Sequence, residues 1–231
     1  FTNNNLMFKS DKTELNKDKL FLIAEGNVKI NDNNEGIQIK ASYVTYDKIK
    51  DIIFIKGKSQ TELYGKFNLF SKDLYYDRKN KVIFSDFETK LTDDIDNKVS
   101  FKKFNLNLGS KITKVKNLKL EDNKKNVFYL KDAAINLGKN EIVGKEGRFY
   151  FEKSVFGNSE NDPRIFGRSI ISNEKETTIK KGVFTSCKLD KNQKCPPWLI
   201  KAEEVKHNKE RKIVEYKNAW LNIYDTPVVY F

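Results

Sequence analysis

Cys187 and Cys195 carry the redox chemistry open to this chain, and seven residues separate them. Two cysteines in one loop bond to each other if the loop folds back, or remain free thiols. They are too few for a disulfide framework. His207 is the single histidine; it follows Lys206 and precedes Asn208 in an alternating stretch and reads as a surface residue. One His with two Cys gives no structural zinc set. Asp162-Pro163-Arg164 places a carboxylate near a guanidinium, but Asp-Pro is foremost a turn former. The remaining Asp and Glu fall in turns, without a pair set for acid–base work. There is no Gly-rich phosphate loop and no nucleophile elbow. A non-enzymatic role without a cofactor or metal is expected.

The charge points outward to partners. Lys and Arg total 44 against 32 Asp and Glu, a net charge of +12. Such a balance draws nucleic acid, anionic lipid or phosphorylated glycolipid. The Arg residues are Arg78, Arg148, Arg164, Arg168 and Arg211; all other basic residues are Lys. Base readout favours Arg, and the Lys are spread without a dense basic cluster. Nucleic acid is therefore not expected as a partner. A basic nucleic-acid-binding β-domain is the alternative from a different class, and it needs clustered Arg with exposed aromatics on one face. A carbohydrate-active solenoid would need convergent carboxylates. Hydrophobic residues make up 38% and charged residues 33%, yet aromatics reach 13%. That aromatic content is too high for a disordered chain, so a thin core is expected. No apolar run is long enough for a membrane helix.

The elements that position these residues have a period of two. Residues 1–19 are polar and read as a loose lead-in. In the next stretch Leu22, Ala24, Val28 and Ile30 alternate with Glu25, Asn27 and Lys29, and a second alternating stretch follows from Ile37 to Tyr46. This is the pattern of half-buried strands, joined by the turn residues 32–36. Further strands are expected at 51–56, 60–64, 66–70, 73–76, 81–85, 87–91, 99–108, 112–120, 126–130, 133–137, 177–185, 198–206 and 213–223. Helix is nearly absent from this reading. Tyr46-Asp47 before Ile52-Ile53-Phe54-Ile55 repeats 30 residues later as Tyr76-Asp77 before Lys81-Val82-Ile83-Phe84. A weaker third copy begins at Leu120-Glu121-Asp122. Such a repeat suggests stacked hairpins. Gly144, Gly147, Gly157 and Gly167 mark a loop-rich region. The expected fold is all-β: an elongated, incompletely closed β-jellyroll or sandwich of stacked antiparallel hairpins. It spans 20–197, and C-terminal strands follow over 198–231. The chain starts at Phe1 and stops inside an apolar run, and so reads as part of a longer or processed protein.

Two stretches carry a family resemblance. Ala24-Glu25-Gly26-Asn27-Val28-Lys29-Ile30, followed by Ala41 to Tyr46-Asp47, resembles the OstA-like repeat of the lipopolysaccharide transport proteins. Asp162-Pro163-Arg164-Ile165, Thr185-Ser186-Cys187, Cys195-Pro196-Pro197-Trp198 and Pro227-Val228-Val229-Tyr230-Phe231, in that order, resemble the LptD branch. There the same series leads into an outer-membrane barrel. The resemblance spans about 20–231 and is looser over 90–160. It implies the periplasmic domain of a Gram-negative outer-membrane protein. Such a domain receives lipopolysaccharide from the periplasmic bridge and passes its lipid A acyl chains toward the barrel. A stand-alone LptA- or LptC-like bridge is the alternative within the same class. The implied partners are an LptA-like bridge protein joined by edge-strand pairing, the protein's own barrel and an LptE-like lipoprotein. The resemblance also implies disulfides from this region to the barrel, with Cys187 the better match.

A carrier of acyl chains needs an apolar trough, because each buried methylene contributes about 0.8 kcal/mol. The alternation offers Val28, Ile30, Ile37, Ile39, Ala41, Val44, Tyr46, Ile53, Ile55, Phe67, Leu69, Leu74, Tyr76, Val82 and Phe84 as its lining. The competing reading is that they form a closed core. Lys29, Lys40 and Lys56 flank the trough as phosphate contacts. The strands near 20–30 and 37–46 are expected to be the docking edge for the bridge.

Overall fold

The computed structural model describes all residues except 1, 4, 154–159, 189–196 and 212. Cys195 and Gly157 lie outside the described residues. Every described element is a β-strand or a turn-like segment, and successive strands run antiparallel. Short polar side chains close the hairpins. Asp47 accepts from the backbone N–H of Ile49 and Lys50, each at 3.0 Å. Asp77 does so for Asn80 at 2.9 Å, and Asn107 for Ser110 at 2.8 Å. An Asx side chain bonded two or three residues ahead mimics a backbone turn. The 30-residue repeat is the pitch of one hairpin round trip. Its third copy is Asn107, not the expected Leu120-Glu121-Asp122. Asn107 pairs with Val82, as Asp77 does, whereas Asp122 follows the far end of the next strand.

The chain forms two compact units, Phe1–Val115 and Lys116–Phe231. The expected boundary at 197/198 falls inside the second unit. In the first unit the long strands are β4 (Phe21–Asp32), β5 (Ile37–Asp47), β6 (Ile52–Leu63) and β7 (Phe67–Asp77). Each is creased in its middle. Register slips by one residue between Glu25 and Val28, and between Ile55 and Lys58. Gly26 and Gly57 sit in these bulges at φ +72° and +77°, a region open to Gly without strain. Asp73 at the crease of β7 accepts from the N–H of Gly57 at 2.7 Å. A bulge bends its strand and re-aims the side chains beyond it.

The creases fold one set of strands into two layers. Layer A holds β3 (Lys12–Asn16), residues 21–25, 43–47, 52–56 and 74–77, then β8 (Val82–Ser85) and β11 (Lys103–Asn107). Layer B holds β1 (Thr2–Asn3), β2 (Leu6–Lys9), residues 28–32, 37–41, 58–63 and 67–72, then β9 (Thr89–Thr92) and β10 (Lys98–Phe101). Phe8 of layer B stacks on Tyr46 of layer A at 5.6 Å, and Phe101 meets Phe104 edge-on at 5.5 Å.

The lead-in expectation fails here. Leu6 and Phe8 are buried, and residues 6–9 and 12–16 pair with β4. Three asparagines and a charge run mask a short alternating stretch, Leu6-Met7-Phe8. The strands expected to form an open edge are not edge strands either. β4 is paired on both sides and β5 lies between β4 and β6. Among the described pairings β3 has a partner on one side only, β4.

In the second unit, residues 116–121 of β12 (Ile112–Glu121) precede β13 (Val127–Asn136), β14 (Glu141–Tyr150), β15 (Arg164–Ser172), β16 (Glu176–Thr185), β17 (Trp198–Asn208), β18 (Ile213–Ile223) and β19 (Thr226–Tyr230). From β13 onward each pairs with the next. Gly144, Gly147 and Gly167 are strand residues, not a loop region. They belong to this unit's crease. Gly147, Gly167 and Gly182 stand opposite one another on adjacent strands, continued by Ala202 and Ala219. A Cβ on Gly167 would overlap Cγ2 of Ile179, and one on Gly182 would press on Cγ2 of Val205. The missing side chains let the inner residues beyond the crease fold onto bare backbone. Beyond this row the next two residues of each strand both face outward, as at Lys145-Glu146 and Lys180-Lys181. Glu146, Lys181 and Asn218 take φ near +50° there.

Candidate functional site

The fifteen candidate trough residues all fall in the first unit. Eleven of them are buried there, and Ile53, Ile55, Val44 and Leu74 are fully so. Ala41 and Phe67 are half-buried on the inner face. Val82 and Phe84 are on the wrong face. Tyr76 pairs with Ile83 and Tyr75 with Phe84, so Ile83 points in and Phe84 points out. A one-residue slip flips every side chain of a strand. Outside, Phe84 stacks on Tyr75 at 5.0 Å, and Tyr75 meets Phe54 at 4.6 Å. The interior of this unit is filled by its own side chains, which is the closed-core reading.

A polar clasp joins the layers at one end. Arg78 Nε donates to Asp32 at 3.0 Å and Nη1 to Asp51 at 2.9 Å. Tyr76 donates its hydroxyl to Asp32, and Tyr46 to Asp51, both at 2.9 Å. Burial, then the Asp51 carboxylate, pushes the Tyr46 phenol up to about 12. Burial and the Asp32 charge push Tyr76 up further. Burial opposes the charge on Arg78, but its two carboxylate partners outweigh that and hold it protonated. Sequence reasoning counted Arg78 only as charge. Its place at the end of the Tyr-Asp repeat was the available signal.

The phosphate candidates do not flank an interior. Lys29 and Lys40 face each other on the outside of layer B. Lys56 lies on the outside of layer A, with Nζ 5.7 Å from the Tyr43 ring centre. Arg164 is buried and donates through Nη1 to the carbonyls of Asp162 and Cys187. Asp-Pro-Arg thus ties the start of β15 to the residues that follow β16. Cys187 is a free thiol with Sγ 3.6 Å from the Trp198 carbonyl. His207 is half-buried opposite Thr177 rather than a surface residue; burial and Lys209 lower its pKa.

The second unit carries an open apolar wall. One inner row runs Phe128, Phe149, Ile165, Phe184, Ile200, Leu221 and Val229 across successive strands. Its middle members are buried, Ile200 and Leu221 are half-buried, and Val229 is 50% exposed. Phe231 shares that face through its pairing with Ala219 and is 51% exposed. The interior therefore changes from sealed to uncovered toward β19. None of these residues was a candidate from sequence. Their signal was the alternation at 198–206 and 213–223 running into the apolar Pro227–Phe231 segment. On the outer face of the same unit lies a cleft of about 830 Å³, walled by Tyr129, Arg148, Phe166 and Val183 on one side and by Lys131, Glu146 and Lys181 on the other. Its floor is the bare backbone of Gly147 and Gly167.

These features define an all-β chain of creased, stacked hairpins in which the second unit carries an apolar inner wall, uncovered toward β19. A 100-residue stretch of the chain is LptD-like: it is 31% identical to the LPS-assembly protein LptD of Yersinia pseudotuberculosis. The match covers 43% of this chain and 10% of that protein, so the chain spans a small part of this relative. Among solved structures, LptH of Pseudomonas aeruginosa, described as the LptA-homologous periplasmic component of the lipopolysaccharide transport device, superposes with a TM-score of 0.43 at 13% identity. That superposition covers 48% of this chain and 81% of LptH. No family profile matches the chain.

Proposed function

We propose that this chain is a non-enzymatic lipid-transfer module of lipopolysaccharide transport, acting in the periplasm at the outer membrane. It receives lipopolysaccharide from a periplasmic bridge, lays the acyl chains against the inner wall at β17–β19, and passes them toward a membrane barrel. The uncovered run Ile200, Leu221, Val229 and Phe231, in a chain with an LptD-like stretch, carries the reading. At about 0.8 kcal/mol per methylene, a few carbons of each acyl chain suffice for a useful hold. The bridge protein joins by strand addition at β3, whose outer side has no partner among the described pairings. The barrel and a lipoprotein of the LptE kind are further partners under this proposal.

Site-specific photo-crosslinking tests it. A benzophenone side chain at Leu221 should yield lipopolysaccharide adducts, whereas one at the outward neighbour Trp220 or at Lys40 should not. Equal labelling from Leu221 and Trp220, or labelling from Lys40 alone, would rule the inner route out.

A further inference from the structure

The outer face of layer B is a basic lattice. Lys9 stands opposite Lys29, Lys29 opposite Lys40, Lys40 opposite Gln60, Gln60 opposite Phe70, and Phe70 opposite Lys90. Toward the crease, Lys58 faces Lys72. In the adjoining outward row Met7, Asn31, Gln38, Glu62, Asn68, Thr92 and Lys98 follow one another across the strands. Glu62 is the one carboxylate in these rows. None of the lysines named takes part in an ion pair among the described residues. Like charges directly across a strand pair are destabilising. This face repeats that arrangement at Lys9–Lys29–Lys40 and again at Lys58–Lys72, so it carries a cost that an anionic partner would relieve. Layer A differs: its outer face carries the Phe54–Tyr75–Phe84 ladder, and its ion pairs use Lys12, Lys50 and Lys103.

We propose that the outer face of layer B docks on an anionic phospholipid bilayer surface. Three observations select a bilayer over other polyanions. The charges lie on a sheet face, spaced about 4.8 Å across strands, which suits a plane of headgroups and presents no element that enters a nucleic-acid groove. All of the cations are Lys, whose point charges suit diffuse attraction, and none is Arg, whose planar fork reads phosphates and bases bidentately. Phe70 stands within the lattice and is 44% exposed; at the nearby rim Phe87, also 44% exposed, has Lys72 Nζ 5.0 Å from its ring centre. Exposed Phe beside Lys suits shallow burial at the boundary between headgroups and acyl chains, with the ammonium groups at the headgroups. Each Lys near an anionic leaflet contributes on the order of 1 kcal/mol, and the effect fades within a Debye length. The proposal stands whether or not the interior of either unit takes acyl chains.

Vesicle co-sedimentation of the whole chain tests it, with phosphatidylcholine vesicles, the same vesicles containing phosphatidylglycerol, and a DNA duplex as a separate arm. Binding should need phosphatidylglycerol and weaken steeply with salt. The double variant Lys29→Glu/Lys40→Glu should bind at least about tenfold more weakly, with an unchanged melting temperature or a raised one, because the contact of Lys9 with position 29 turns from like to opposite charge while positions 29 and 40 still carry like charges. Lys139→Glu/Lys175→Glu makes the same charge change in turns of the second unit and should bind like the parent. Equal losses in both double variants would reduce the effect to net charge and overturn the proposal. Binding to phosphatidylcholine alone would overturn it too, as would DNA affinity above that for the anionic vesicles with the same dependence on Lys29 and Lys40.

Discussion

Arg78 satisfies two carboxylates with one guanidinium, and Asp32, at 1% exposure, depends on it. Removing one partner of a buried pair leaves a charge in low dielectric, which costs about 3–5 kcal/mol. Arg78→Met should therefore lower the unfolding free energy by about 3 kcal/mol, measured by urea titration. Pairing it with Asp32→Asn should recover part of that loss, since the stranded charge disappears. A loss below about 1 kcal/mol in the single variant would mean that water already screens the clasp. His207 gives a second, pH-dependent expectation. Its folded pKa lies below the ordinary 6.5, chiefly through burial. The unfolded chain thus takes up the proton first as pH falls. The stabilisation is present above 6.5 and is lost as pH drops through the lowered folded value. The urea midpoint should fall between pH 7.5 and 5.5 by more in the parent than in His207→Gln. Identical falls would place the imidazole in water in both states.

At the scale of elements, the crease decides the architecture. In the second unit it works by omission, since Gly147, Gly167 and Gly182 leave room for Ile170, Ile179 and Val205. Overpacking such a site costs about 1–3 kcal/mol, so Gly167→Ala should destabilise by that amount. Ile179→Leu moves the branch away from the clash at nearly constant volume. The double variant should be more stable than Gly167→Ala alone in a thermal melt, and strict additivity of the two changes would refute the contact. The crease also explains what was hard to see in the sequence. Strand existence, the all-β class and the hairpin pitch were legible, because period-two alternation and Asx turns are local signals. Strand continuity was not. β6 reads as 51–56 and 60–64, and β7 as 66–70 and 73–76, because the alternation breaks at Gly57 and Asp73, where two or three successive residues face outward. The same kind of parity error put Val82 and Phe84 inside. Only the pairing with Tyr76 fixes that register, and that pairing is a tertiary fact. The pairing of β2 and β3 with β4 was equally hidden, so the edge was assigned to the wrong strands.

At the scale of the whole molecule, the two units differ in how completely each covers its own apolar face. The first buries its inner rows on both layers, from Leu22 and Val28 through Leu69 and Leu91. The second is sealed around Ile165, Ile170 and Ile179, but leaves Leu221, Val229 and Phe231 increasingly exposed toward β19. Local opening free energies follow buried contacts, so exchange protection should be graded along the chain. Amides of β5 and β6 should exchange slowest, those of β15 and β16 next, and those of β18 and β19 fastest. This gradient bears on the proposed lipid transfer. A sealed layer pair resists entry of a lipid chain, whereas a wall with half-covered residues can accept one without first expelling its own side chains. Adding lipopolysaccharide in hydrogen–deuterium exchange should slow β17–β19 and leave β5 and β6 unchanged. Protection that rises first in β5 and β6 would mean the first unit opens to take the acyl chains, and the functional wall would then belong to the residues around Ile39 and Ile55.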